Sequence, residues 1–220
     1  MVKLDGGSDI DTLSFGNMGT QGSTELTLSG GGATNFESID GSGGVDIIRG
    51  DSNVNILRGD GGADTIYGGS GNDSLSGSTA WSSARDSDRQ QAANDSDSDT
   101  DDNLYGEAGD DLLIGTIGDN ILDGGIGTDT IYSGSGSDTF VIRNGDGSND
   151  LNTADIAKDF VIDSDLIGRN GMAYRDLTIE QGAGSYRNHT IIKKTTSGQI
   201  LIILEKVTAS SLSSEDFVVI

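Results

Sequence analysis

The chain has 220 residues, and 36 acidic against 13 basic side chains leave it with a formal charge of −23. So acidic a surface disfavours nucleic acid and anionic membranes and suits dications, and no apolar run approaches the length needed for membrane insertion. With no cysteine there is no disulfide framework, and low hydrophobicity with high charge makes disorder the alternative to be excluded.

The opening Met-Val-Lys-Leu-Asp-Gly-Gly has no signal-peptide apolar stretch. It begins inside a repeat-like segment, so the chain is expected to be part of a longer protein, with Met1 added. Residues 1–40 read as a lead-in. Within it, residues 6–14 are a degenerate copy of the nine-residue pattern that follows, with Asp9 in a glycine position and Asp11 at position six. Residues 23–29 and 34–39 read as short strands joined by Gly30-Gly31-Gly32. A hairpin cap and a metal site at Asp11 both fit this lead-in.

From residue 41 the period is nine. Residues 68–76 read Gly-Gly-Ser-Gly-Asn-Asp-Ser-Leu-Ser, residues 124–132 Gly-Gly-Ile-Gly-Thr-Asp-Thr-Ile-Tyr, and residues 133–141 Ser-Gly-Ser-Gly-Ser-Asp-Thr-Phe-Val. The first block, 41–76, places Asp46, Asn55, Asp64 and Asp73 at position six and Ile48, Leu57, Ile66 and Leu75 at position eight. The second, 97–141, places Asp102, Asp111, Asn120, Asp129 and Asp138 at position six and Leu104, Leu113, Leu122, Ile131 and Phe140 at position eight. All nine position-eight residues are large and apolar. With about a third of the chain hydrophobic, chance gives that on the order of 10⁻⁵, which excludes disorder throughout.

Between the blocks, residues 77–96 read as an acidic loop insertion that contains the single tryptophan, Trp81. Asp95, Asp97, Asp99 and Asp101 alternate as in an EF-hand loop, but the glycine and glutamate such a loop requires are absent. A solvated loop is the better reading, and an insertion at a turn adds little closure entropy.

Residues 142–220 change character: lysines appear and glycine thins out. Alternation predicts strands at 176–181, 189–194 and 199–207. Enzyme signatures are missing. There is no H-E-x-x-H or G-x-S-x-G, and one histidine without cysteine makes no usual zinc site. His189 reads as a surface histidine. Tyr67, Tyr105 and Tyr132 at position nine should face outward.

The nonapeptides resemble the glycine-rich calcium-binding repeat of RTX (haemolysin-type) proteins, G-G-x-G-x-D-x-U-x, which stack into a right-handed parallel β-roll. In this reading six residues turn, helped by glycine's freedom, and three form a strand with position eight inward. Two units close a coil of eighteen residues. Strands lie about 4.8 Å apart, so acids at i and i+18 stack at that spacing, and calcium oxygens at ~2.4 Å fit between them. Without the ion two carboxylates there repel by roughly 3 kcal/mol at an effective dielectric of 20. If Asp102 follows Asp73, one edge carries Asp46, Asp64, Asp102, Asn120 and Asp138, and the other Asn55, Asp73, Asp111 and Asp129.

The resemblance implies that these nine residues are calcium ligands, with the asparagine sites weaker. Backbone oxygens of Gly44, Gly62, Gly69, Gly71, Gly109, Gly125, Gly127, Gly134 and Gly136 are expected to join them, because alternate carbonyls of the turn face the ion. Asp159-Phe160-Val161-Ile162-Asp163, Asp165-Leu166-Ile167 and the close Asp216-Phe217-Val218-Val219-Ile220 resemble the segments that end RTX proteins. An all-β chain is therefore expected, finished by an antiparallel C-terminal capping region (142–220) that carries a secretion signal. The implied function is calcium-driven folding outside a Gram-negative type of cell, after export by the type I secretion apparatus. The second reading is a polysaccharide- or partner-binding module on a calcium-stabilised roll. An ice-binding surface would need a threonine ladder, and position seven offers only Thr65, Thr130 and Thr139.

Overall fold

The computed structural model describes residues 4–5, 12–15, 25–28, 33–34, 36–78 and 101–220. The repeats fold as read. The last three residues of each nonapeptide form a strand, for example Ile47–Arg49, Leu112–Ile114 and Thr130–Tyr132, with the middle side chain buried. Successive strands alternate between two sheets, so like strands pair in parallel every eighteen residues.

One sheet runs through Glu25–Thr27, Ile47–Arg49, Thr65–Ser70, Asn103–Ala108, Ile121–Asp123, Thr139–Arg143, Leu166–Asn170 and Phe217–Val219. The other runs through Thr12–Ser14, Ser38–Ser42, Ile56–Asp60, Ser74–Ser76, Leu112–Ile114, Thr130–Tyr132, Ile156–Ala157, Ile200–Leu204, Thr190–Lys194 and Leu177–Gln181. Between them lies a single file of apolar side chains from each sheet. All nine position-eight residues are at most 1 % exposed. Ile39 precedes one file, and Ala157 and Leu204 continue it, while Ile167 and Phe217 continue the other. A fully buried aliphatic side chain contributes about 1.5–3 kcal/mol, so the narrow roll is stabilised one rung at a time.

The described lead-in strands do not pair with each other as a hairpin. Thr12–Ser14 joins Ser38–Ser42 and Glu25–Thr27 joins Ile47–Arg49, both in parallel, so they begin the two sheets. Leu4–Asp5 and Ala33–Thr34 form a separate two-stranded parallel pair. Asp9, Asp11 and residues 79–100, which include Trp81, Asp95, Asp97 and Asp99, lie outside the described residues.

The tail strands form at Leu177–Gln181, Thr190–Lys194 and Ile200–Leu204 as an antiparallel ladder. The tail also extends the roll: Ile156–Ala157, Leu166–Asn170 and Phe217–Val219 add parallel rungs to the two sheets. Phe160 packs against Phe140, ring centroids 5.7 Å apart, where the repeats end. Among the described residues no helix is long and apolar enough to cross a membrane.

Candidate metal centre

Position six sits where the turn re-enters a strand, so its side chain lies at the sheet edge beside the coils above and below. From Asp64 and Asp73 onward, each Oδ1 accepts a hydrogen bond from the backbone N–H of the position-six residue one coil earlier. On one edge Asp46 donates to Asp64, Asp64 to Asp102, Asp102 to Asn120 and Asn120 to Asp138, all at 2.8–2.9 Å. On the other, Asn55 donates to Asp73, Asp73 to Asp111 and Asp111 to Asp129, at 2.7–2.9 Å. The two expected columns are therefore present, and Asp102 does occupy the place above Asp64.

Gly77 shows where the insertion enters. Its position beside Asp102 repeats that of Gly68 beside Asp73, so Gly77 opens the turn that Asp102 completes. Asp102 stands 38 residues after Asp64 rather than 18, so one turn carries 20 extra residues.

Both columns continue past the repeats. Asp129 donates its N–H to Asp155 at 3.0 Å, and Asp138 donates to Asp165 at 3.1 Å. The sequence reading missed these two acids because they follow at 26 and 27 residues instead of 18. The signal was an acid two places before an inward residue: Asp155-Ile156-Ala157 and Asp165-Leu166-Ile167. Asp159, also in the tail, accepts from the N–H groups of Ser133 and Gly134.

The second carboxylate oxygen is the chemically revealing one. Oδ2 of Asp64, Asp73, Asp111, Asp129 and Asp138 is buried without a hydrogen-bond donor. It points into a cradle against position one of its own turn. A Cβ on Gly68 would lie 2.7 Å from Asp73 Oδ2 and 2.7 Å from the Gly106 carbonyl oxygen of the next coil. Carboxylate and carbonyl oxygens thus converge there with no N–H or hydroxyl donor among them, the donor set of a hard dication. These residues fit calcium.

The carbonyls beside the carboxylates belong to position one, a group the sequence reading did not name. Of the glycines it did name, Gly62, Gly69, Gly71, Gly109, Gly125, Gly127, Gly134 and Gly136 adopt positive φ, while Gly44 does not. The Gly44, Gly71 and Gly109 carbonyls face the equivalent glycine of the next coil, so close that a Cβ there would collide with them. At position two, the Asp51, Glu107 and Thr116 carbonyls accept N–H groups of the following coil.

The two asparagines differ. Asn120 Nδ2 donates to Asp138 Oδ1 at 3.0 Å and to the Gly118 carbonyl at 3.1 Å, so its neutral amide places N–H donors between the coils. Asn55 Nδ2 is buried without an acceptor.

Burial dominates the electrostatics. It pushes Asp64 up to about 9 and Asp102 and Asp111 to about 7, against hydrogen bonds from the preceding coil that lower them. Asp73 and Asp138 rise to about 6 for the same first reason. Burial raises Asp129 to about 6, with the Asp110 and Asp123 charges adding to it and a hydrogen bond with Asp155 opposing it, while burial and then the Asp129 charge raise Asp155 to about 8. Such values mark groups held where their charged form lacks a partner.

A family model described as the RTX calcium-binding nonapeptide repeat (4 copies) matches residues 40–75, 97–131 and 105–140. No curated protein matches the chain in sequence. Among solved structures, the AlgE6R3 subunit of the Azotobacter vinelandii mannuronan C5-epimerase is similar at 20 % identity and TM-score 0.30, covering 78 % of each chain. The extracellular lipase LipA of Serratia marcescens is similar at 19 % identity and TM-score 0.38, covering 82 % of this chain and 39 % of the lipase. Both overlays are loose, and the firmer likeness is that of the repeats. Residues 40–75 and 97–140 of this chain match the RTX calcium-binding nonapeptide repeat model, and they fold as a two-sheet parallel β-roll.

Proposed function

We propose that this chain is a calcium-responsive module that folds when it meets calcium outside the cell, and that it supports type I secretion of a larger protein. The observation that carries the reading is the set of five buried Oδ2 atoms without donors, stacked in two columns. Asp46, Asp64, Asp102 and Asp138 would hold ions along one edge, with Asn120 a weaker rung whose amide already donates to Asp138 and the Gly118 carbonyl. Asn55, Asp73, Asp111 and Asp129 hold them along the other, with position-one carbonyls completing each cradle. Bound calcium supplies the positive charge that lets neighbouring carboxylates stay ionised next to each other.

The rest of the chain gives this a direction. Without the ion, burying the acids opposes folding, and a chain of −23 charge repels itself. An extended chain suits passage through the secretion apparatus; millimolar external calcium then closes the roll, because an ion that binds only the folded state stabilises it by mass action. Residues 217–219, near the chain's end, are a paired strand in the fold. A secretion signal there is available only before folding, so export precedes calcium.

The test is circular dichroism of the 220-residue chain in chelator and in a calcium titration. β signal that rises with calcium and reverses with chelator supports the reading. A spectrum and hydrodynamic radius indifferent to calcium overturn it.

A further inference from the structure

A second site lies on the outer face of the roll, beside the turns that carry Asp111 and Asp129. Position nine of one sheet builds a ladder in register: Arg49 beside Tyr67, Tyr67 beside Tyr105, Tyr105 beside Asp123. The Arg49 guanidinium carbon sits 4.0 Å from the centre of the Tyr67 ring. The Tyr67 and Tyr105 rings stack, 5.1 Å apart and 13° from parallel. Tyr67 is thus covered on both faces, and the far face of Tyr105 turns toward Asp123.

There the ladder breaks. Asp123 is short, 2 % exposed, and drawn to the Arg143 guanidinium, whose Nε donates to its Oδ2 at 2.6 Å. The result is a cleft of about 420 Å³ beside Tyr105, within the roughly 300–1,000 Å³ of small-ligand sites. Ile126, 64 % exposed, adds an apolar wall, and Glu107 and Asp146 stand at its margin.

Glu107 is there at a conformational cost. It occupies position two, where the pattern favours glycine, and holds φ at 73°. Asp60 and Thr116 hold the same conformation at position two of other repeats, and Glu107 is the one of the three that lines the cleft.

We infer that this cleft binds a pyranose ring of a neutral glycan. The apolar C–H face of the sugar lies on Tyr105 and Ile126. Glu107 and Asp146 accept from ring hydroxyls, while Arg143, fixed by Asp123, donates to one. Three carboxylates against one guanidinium exclude uronates and other anionic sugars.

The test is isothermal titration of the full chain in millimolar calcium with neutral gluco- and galacto-oligosaccharides, a uronate oligomer and a primary amine. The expected result is millimolar or tighter binding of at least one neutral sugar, with the uronate at least tenfold weaker. Tyr105→Ala and Glu107→Gly should each weaken it at least fivefold. Glu107→Gly restores the residue the turn prefers, so its calcium midpoint should stay equal or fall, which separates loss of binding from loss of fold. No binding of any neutral sugar, preference for the uronate or the amine, or unchanged affinity in both variants would overturn the proposal.

Discussion

Replacing Asp64 by Asn should make the roll fold better without calcium and respond to calcium less. Asp64 Oδ1 accepts the Asp46 N–H at 2.8 Å, and an amide oxygen can keep that bond. Its Oδ2 has no donor, and the variant puts an N–H₂ there, as Asn120 does naturally with its carbonyl and carboxylate partners. Burial first, then the neighbouring Asp102, Asp46 and Asp60, raise Asp64 from 3.8 to about 9. The ion-free folded state therefore holds a proton that the unfolded chain releases above pH 4. Its stability falls as pH rises from about 4 to about 9. At pH 7 the penalty is 3.2 pH units at about 1.36 kcal/mol each, or about 4 kcal/mol, a large share of a domain's total stability. Circular dichroism in chelator from pH 4 to 9 reads this directly. The parent should lose β signal as pH rises, and Asp64→Asn should lose less and bind fewer calcium ions. Identical pH profiles for the two proteins in chelator would refute the burial reasoning.

Three other outcomes are expected. Asp129→Ala should raise the calcium midpoint more than Asn55→Ala, because Asp129 contributes a charged, donorless oxygen while Asn55 contributes a neutral amide; calcium titrations of both variants, followed by their β signal, check it. Thr116 holds φ at 80° at position two, a conformation that costs a β-branched residue about 1–2 kcal/mol, so Thr116→Gly should raise the melting temperature in calcium. Deleting residues 142–220 removes the strands Ile156–Ala157 and Leu166–Asn170 that cover the last repeat rungs, and the truncated chain should fail to form β structure in millimolar calcium; a parent-like titration would show that the cap is dispensable for folding.

The repeat region was legible because a stack of coils turns sequence period into spatial translation. Once position eight was inward and position six at the edge, eighteen residues meant one coil, and Asp111 above Asp73 followed even across the insertion. Tertiary effects without a period were not legible. Asp155 and Asp165 continue the columns after irregular links, and the position-one carbonyls became visible only when the Gly68 cradle was seen against Gly106. The lead-in strands looked like a local hairpin, yet each gains more by pairing with an exposed roll edge that carries matching Ile39 or Ile48. Arg143 reaching Asp123 across twenty residues leaves no mark in the nine-residue pattern.

Calcium-dependent folding is tested most directly by the hydrodynamic radius of the 220-residue chain at pH 7.4, measured first in chelator and then in 5 mM calcium, alongside its circular dichroism. With buried carboxylate Oδ2 atoms that lack donors, the chain should be expanded and largely without β structure in chelator, and should contract into a β-rich state with calcium, reversibly. A compact β-rich chain of the same radius in both conditions would contradict it.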